Sequence, residues 1–320
     1  MPTFGLHLTD FSAPEFTGGR LLDAVTDLTT ALEQTPAFTT LWVTDHVQFL
    51  GPAGPYAPMP EAYSLLNAVA ARTSRLQLGV LATSVLYRRP TLLAKLVSTL
   101  DALSGGRAIL GIGAGHPRTE AEHRAYGYDF PSIARRMEIL QDALEVIRPM
   151  ITRTPDPDSP PNSPRPMRPA GIPVLVAGSG EQRLLRIAAR HADMINLSFP
   201  SGDSRDRIAH KRRVLAGHCA TVGRDEGEIA ITYKGMLAVA HESEQARAEW
   251  DEWRTARGMP EMNSAAGVFV GDPDEVADQL APWLHLGIDH FVFELPHATP
   301  ESIAVAGRAI AHLTSSAAVA

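Results

Sequence analysis

The sequence predicts a (β/α)8 TIM barrel with insertions, formed as a single domain over residues 1–320. Short apolar runs alternate with amphipathic helical stretches, the pattern of βα units on a parallel sheet. Eight such units can be counted, which favours closure into a barrel over an open doubly wound sheet. A length of 320 residues also leaves room for insertions beyond the roughly 250 residues of a minimal barrel.

Taken in order, the first run is Thr3 to Leu8, with a helix from about Gly19 to Glu33. The second is Thr40 to Thr44, ending at Asp45-His46, and a Gly/Pro-rich loop, Gly51 to Pro60, follows. A helix from Ala62 to Arg72 precedes the third run, Leu76 to Ala82, and Pro90 opens the next helix, since proline is tolerated in a first turn. Arg107 to Ile112 is the fourth run, followed by a glycine-rich loop and a long helix from Ser132 to Ile151. Seven prolines between Pro155 and Pro169 exclude helix and central strand there and mark an insertion over about 154–170. The fifth run, Pro173 to Ala177, passes through a glycine turn into a helix, Glu181 to His191. Met194 to Phe199 is the sixth, Arg205 to Val222 its helix, and Ile229 to Val239 the seventh. A second insertion spans about 241–267; Asp272-Pro273 then starts a helix to His285, Asp289 to Leu295 is the eighth run, and a last helix covers Pro300 to Leu313.

Hydrophobic residues at 44% and charged residues at 20% suit a folded chain with a sizeable core. A net charge of -7 with no basic run argues against nucleic acid as a partner. The single cysteine, Cys219, allows neither an intramolecular disulfide nor a cysteine-based metal site, which fits a reducing compartment. No basic-then-apolar leader and no apolar stretch of membrane-spanning length is present, so a cytoplasmic protein is expected.

In a barrel the chemistry lies beyond the carboxyl ends of the strands. The second run ends in Asp45 and His46, and an imidazole there suits proton transfer; equally, Asp45 caps a turn and His46 is solvated. The third ends in Thr83-Ser84-Val85, where small polar residues let a flat ring approach the backbone. The fourth ends Gly111-Ile-Gly113-Ala114-Gly115-His116, leaving amides open to phosphate or ring. Its spacing is not the Gly-x-Gly-x-x-Gly of a nicotinamide site. The fifth ends in Ala177-Gly178-Ser179-Gly180 before a helix, a phosphate cradle with Arg183 nearby, or simply a tight turn. His116, Glu120 and His123 could share a helical face and hold zinc, but no strong metal motif is present, and no metal is expected.

Together these endings resemble the luciferase-like superfamily, in particular its branch using the deazaflavin coenzyme F420. The matching stretches include Trp42-Val-Thr-Asp45-His46, Thr83-Ser-Val-Leu86 with Arg88-Arg-Pro90, Leu100-Asp-Ala-Leu-Ser-Gly-Gly-Arg107, Leu110-Gly-Ile-Gly-Ala-Gly-His116 and Arg183-Leu-Leu-Arg-Ile-Ala-Ala-Arg-His-Ala-Asp193. The resemblance implies an F420-dependent oxidoreductase that transfers a hydride to or from a small organic substrate. Asp45 would hydrogen-bond the ring's polar edge, and His46 would be acid, base or stabiliser. Thr83, Ser84, Val85, Gly113, Ala114, Gly115 and His116 would line the ring. Ala177, Gly178, Ser179 and Gly180 would hold the phosphate. It further implies a non-proline cis peptide in the third strand, at Ser84–Val85, and a homodimer. Sugar-phosphate dehydrogenases of the family carry Glu after the Gly-x-Gly of the fourth strand where this chain has His116, which tells against that substrate and leaves His46 and His116 as alternative proton donors. The nearest alternatives are a monooxygenase of the same fold using flavin mononucleotide (FMN) and a non-catalytic flavin-binding protein.

Overall fold

The computed structural model describes residues 1–154, 156–197, 204–259 and 264–317. Pro155, where the expected proline-rich stretch begins, and Phe199, where the expected sixth run ends, lie outside them. In chain order the elements are β1 (Thr3–Leu8), α1 (Leu21–Glu33), β2 (Phe38–Val43), α2 (Ala62–Ala70), β3 (Gln77–Val80), β4 (Thr83–Ser84), α3 (Pro90–Ser104), β5 (Ala108–Gly113), α4 (Glu120–Ala125) and α5 (Ile133–Met150). The second part adds β6 (Val174–Ala177), α6 (Leu184–His191), β7 (Met194–Asn196), α7 (Ser204–Val222), β8 (Ala230–Val239), α8 (Ser243–Ala256), β9 (Val268–Gly271), α9 (Pro273–Leu280), β10 (His290–Glu294) and α10 (Pro300–Ala317).

All strand pairings are parallel, in the order β1-β2-β3-β5-β6-β7-β8-β10, and β10 returns to β1 through Thr3↔His290 and Leu6↔Phe293. The sheet is therefore a closed eight-stave barrel ringed by helices. β8 is long enough to serve two partners, pairing with β10 through Thr232 to Met236 and with β9 through Met236 to Val239. β9 was not expected from the sequence, which reads as insertion up to residue 267. The same insertion contains α8, whose Trp250 and Trp253 stack against each other and pack with Val268 and Ala238. The proline-rich insertion carries no helix or strand among its described residues. It is tied to α3 instead, where Asn162 donates to Ser98 Oγ at 2.8 Å and the Met167 amide donates to Asp101 at 2.9 Å.

The third stave is made in two pieces. Gly79 faces Ile109 and Thr83 faces Ile112, so four steps on one strand match three on its neighbour, the arithmetic of a bulge. The non-proline cis peptide lies inside that bulge, at Leu81–Ala82. This corrects the expected Ser84–Val85 position. By Ser84 the chain is already back in register, because Ser84 pairs with Gly113 and the Val85 amide donates to the Gly113 carbonyl at 3.1 Å.

The barrel interior is filled by Trp42, Leu81, Ile109, Leu175 and Val292. A Cβ on Gly79 would lie 2.5 Å from the Trp42 ring, so glycine there makes room for the indole, and one on Gly111 would lie 2.0 Å from the Val80 carbonyl oxygen, so glycine there lets the Val80 backbone come close. Toward the amino ends of the strands, His290 bridges Thr3 Oγ1 at 2.8 Å and Thr40 Oγ1 at 3.0 Å. Burial pulls its pKa from 6.5 down to about 4. The folded state thus holds this ring neutral, while the unfolded chain takes up the proton first as pH falls. The resulting stability is complete above pH ~6.5 and is lost toward pH ~4, on the order of 3 kcal/mol in all. Urea unfolding should accordingly give a flatter pH dependence over this window in His290→Gln than in the wild type; equal slopes would assign the acid sensitivity elsewhere. No helix among the described residues is long and apolar enough to cross a membrane.

Candidate active site

A cavity of about 540 Å³ opens at the carboxyl ends of the strands. Its wall takes Asp45 and His46 from the end of β2, Ser84 from β4, Gly113 to His116 from the end of β5 and Ala177 to Gly180 from the end of β6. Four endings scattered along the chain therefore meet around one space. Thr83 and Val85, expected in the same wall, are not part of it. Thr83 is buried on the opposite side of its strand, its hydroxyl 2.8 Å from the Tyr63 hydroxyl. Val85 lines a separate groove of about 900 Å³ beside Arg89, Tyr128 and Phe130. That groove is the larger of the two, but it does not include the ends of β2, β5 or β6, and the chemistry is assigned to the smaller cavity.

Asp45 is buried and held on three sides. Its Oδ2 accepts the Ser84 amide at 2.9 Å and Arg88 Nη1 at 2.8 Å, and its Oδ1 accepts Arg88 Nη2 at 2.9 Å. Burial raises the carboxyl above its ordinary value, against the opposing pull of the Arg88 guanidinium and the Ser84 amide. Arg88 in turn donates to Glu61 at 2.6 Å and lies over the Tyr63 ring. This bidentate clamp fastens the end of β2 to β4, so Asp45 shapes the wall from which it was expected to reach a ring.

His46 stands at the rim, its side chain 29% exposed, with Nδ1 3.0 Å from Glu122 Oε1. Glu122 comes from α4 and is fully buried. The same oxygen accepts the Tyr87 hydroxyl at 2.6 Å, and Tyr87 stacks on His123 with centroids 4.2 Å apart. His123 Nδ1 lies 2.7 Å from the Thr119 carbonyl, which accepts its proton, so Nε2 is left to accept from Ser84 Oγ at 3.2 Å. The zinc grouping of His116, Glu120 and His123 does not form: Glu120 pairs with Arg124, and the described residues contain no cluster of three metal-ligating side chains.

His116 Nδ1 accepts the Arg118 amide at 3.2 Å, and burial, then the charges of Arg118, Arg136 and His46, lower its pKa. At the β6 end, Gly178 has φ 132°, a value that favours glycine. α6 begins at Leu184, three residues later than expected, because residues 181–183 form a turn. Arg183 does not line the cavity; it donates to the Ala134 carbonyl at 3.1 Å.

Several cavity residues escaped the sequence reading. His7 of β1 is buried, neither ring nitrogen has a partner in good hydrogen-bond geometry among the described residues, and burial, then Lys234 and His46, push its pKa well below the usual value, against a smaller pull from the Val43 and Leu81 backbone. Asn196 of β7 donates to Thr232 at 2.9 Å, and Lys234 of β8 pairs with Glu294 at 2.6 Å. Lys234 is the one charged residue of β8, a signal that could have been read. Glu122 was also missed; its short helix carries no motif of its own.

The model of the luciferase-like monooxygenase family matches residues 1–264. The chain belongs to that family. This luciferase-like chain is 28% identical over 316 residues to the F420-dependent glucose-6-phosphate dehydrogenase of Kineococcus radiotolerans, covering 89% of each protein. It is 27% identical over 292 residues to the enzyme of that name from Nocardia farcinica, covering 79% of this chain and 82% of the relative. Among solved structures, the coenzyme F420-dependent tetrahydromethanopterin reductase of Methanopyrus kandleri superposes with a TM-score of 0.74 at 18% identity, over 98% of this chain and 99% of that one. An F420-dependent secondary alcohol dehydrogenase, solved with an F420-acetone adduct, gives 0.75 at 16% identity over 98% and 99%. At these identities the two structures establish the shared fold of the luciferase-like chain.

Proposed function

We propose that this chain is a coenzyme F420-dependent oxidoreductase of small organic molecules. The observation that carries the reading is the single cavity on which His46, Gly113 to Gly115 and Ala177 to Gly180 converge; relatives named as F420-dependent enzymes over most of the chain's length support it. The wall suits a flat ring with a phosphate tail. Gly113, Ala114 and Gly115 present nearly bare backbone along the cavity, which a flat ring can approach closely, and Gly178 to Gly180 precede, by the turn of residues 181–183, the amino end of α6, where amides favour an anion. Ser84 and Gly113 to His116 would hold the ring and Ala177 to Gly180 the phosphate, with Asp45 keeping Ser84 in place. When bound, the deazaflavin supplies hydride exchange. His46 gives or takes the accompanying proton, and the surrounding wall limits water.

A second compartment of about 310 Å³ joins the first at His7, Thr44, His46, Leu81 and Lys234, and the substrate is read as entering there, next to His46. Glucose 6-phosphate, which the relatives' names give as their substrate, is disfavoured because His116 occupies the place after the glycine loop. The reading takes the 320 residues as one domain acting in the cytoplasm, as a homodimer, on small molecules and without nucleic acid or membrane. Fluorescence titration of the apoprotein with F420 and, separately, with FMN tests the cofactor: preference for F420 is expected. Preference for FMN, with oxygen consumed once that flavin is reduced, would replace the reading with a monooxygenase.

A further inference from the structure

We infer that Glu122 is a positioning residue for His46: by accepting the Nδ1 proton it makes Nε2 the nitrogen that exchanges a proton with the substrate. The inference rests on the oxidoreductase reading above and deepens it. Nothing in the sequence places Glu122 at the site, since it lies 76 positions from His46 on a six-residue helix.

Glu122 Oε1 meets two groups, the Tyr87 hydroxyl at 2.6 Å and His46 Nδ1 at 3.0 Å. Burial, then the hydrogen bond to Glu122, pushes the Tyr87 phenol above its ordinary range, so it stays protonated and donates. A carboxylate only accepts, and the ring nitrogen facing it is therefore the protonated one. In a neutral imidazole that leaves Nε2 with its lone pair free. Glu122 Oε2 is buried with no hydrogen-bond partner among the described residues, so no second donor draws the carboxylate away. Tyr87 is itself fixed, stacked on His123, whose Nδ1 is anchored to the Thr119 carbonyl. The support of His46 is thus a chain of oriented groups ending in backbone, built into a side chain that is 1% exposed.

The proton step balances on these residues alone. As a substrate hydroxyl gives up its proton, the O–H bond breaks with its electron pair left on the oxygen, which becomes an alkoxide, while the Nε2 lone pair forms the new N–H bond and the ring becomes an imidazolium. The negative charge of Glu122 beside Nδ1 then offsets the new positive charge, and in the reverse direction the same proton returns to the substrate oxygen.

The test is the long-range ¹⁵N–¹H spectrum of histidine-labelled protein at alkaline pH, above the ordinary histidine range, with the His46 ring assigned from its loss in His46→Gln. The wild type is expected to show protonated Nδ1 and unprotonated Nε2. Tyr87→Phe should keep this pattern, because Tyr87 only donates to Glu122, and Glu122→Ala should lose it. A protonated Nε2 in the wild type, or an unchanged pattern in Glu122→Ala, overturns the inference. Should Glu122→Ala not fold, the wild-type spectrum alone still decides which nitrogen carries the proton. None of these readouts needs cofactor, so failure to bind F420 would remove the oxidoreductase reading and leave the Glu122 result separately legible.

Discussion

Replacing His46 with alanine is expected to lower kcat by on the order of 10² to 10⁴, the range for losing a general acid or base, while the Kd for F420 stays within about twofold. The separation follows from where the parts sit. His46 occupies the rim shared by both compartments, whereas the glycine endings assigned to the cofactor belong to β5 and β6. Loss of kcat without loss of cofactor affinity is the kinetic mark of a group used in the reaction rather than in binding the ring. Steady-state rates with an alcohol or carbonyl compound that supports turnover, set beside the fluorescence titration, measure both quantities. Unchanged turnover in His46→Ala together with a large loss in His116→Ala would move the proton to His116.

The second large effect is on stability. Arg88→Ala should cost about 3 to 5 kcal/mol, because it leaves Asp45 as a buried charge without its partner. The pair is bidentate and its side chains are only 11% and 3% exposed. Arg124→Ala provides the comparison: its pair with Glu120 has side chains 68% and 46% exposed, and such pairs contribute at most about 1 kcal/mol. Urea midpoints of the two variants should therefore differ widely at equal slope. If Arg88→Ala unfolded within about 1 kcal/mol of the wild type, the clamp between β2 and β4 would not be what secures that wall.

The barrel was legible because its signal is periodic. β1 falls on its expected bounds and the other barrel staves lie within two residues of theirs, except that β7 stops at Asn196, three residues before the expected Phe199; alternating apolar runs and helical stretches each carry their own spacing. Asp45-His46 and the two glycine endings were legible for a related reason, as polar or small residues directly after an apolar run sit at the mouth. What escaped depends on distant neighbours. β9 is four residues long and is a strand only because the far end of β8 offers it a partner. Glu122 acquires its meaning from His46, and His7 from being closed over by the rest of the barrel. The bulge in the third stave could not be placed from local composition, because it is defined by register against β5. Thr83 and Val85 were misplaced for that same reason: which way a side chain faces depends on where the extra residue is absorbed.

A crystal structure of the protein with F420 decides where the cofactor sits. The account predicts the deazaflavin ring against Gly113 to Gly115 with His46 beside it and the phosphate at Gly178 to Gly180. A ring lodged instead in the groove of Val85, Arg89 and Phe130, or no bound ring at saturating F420, would contradict it.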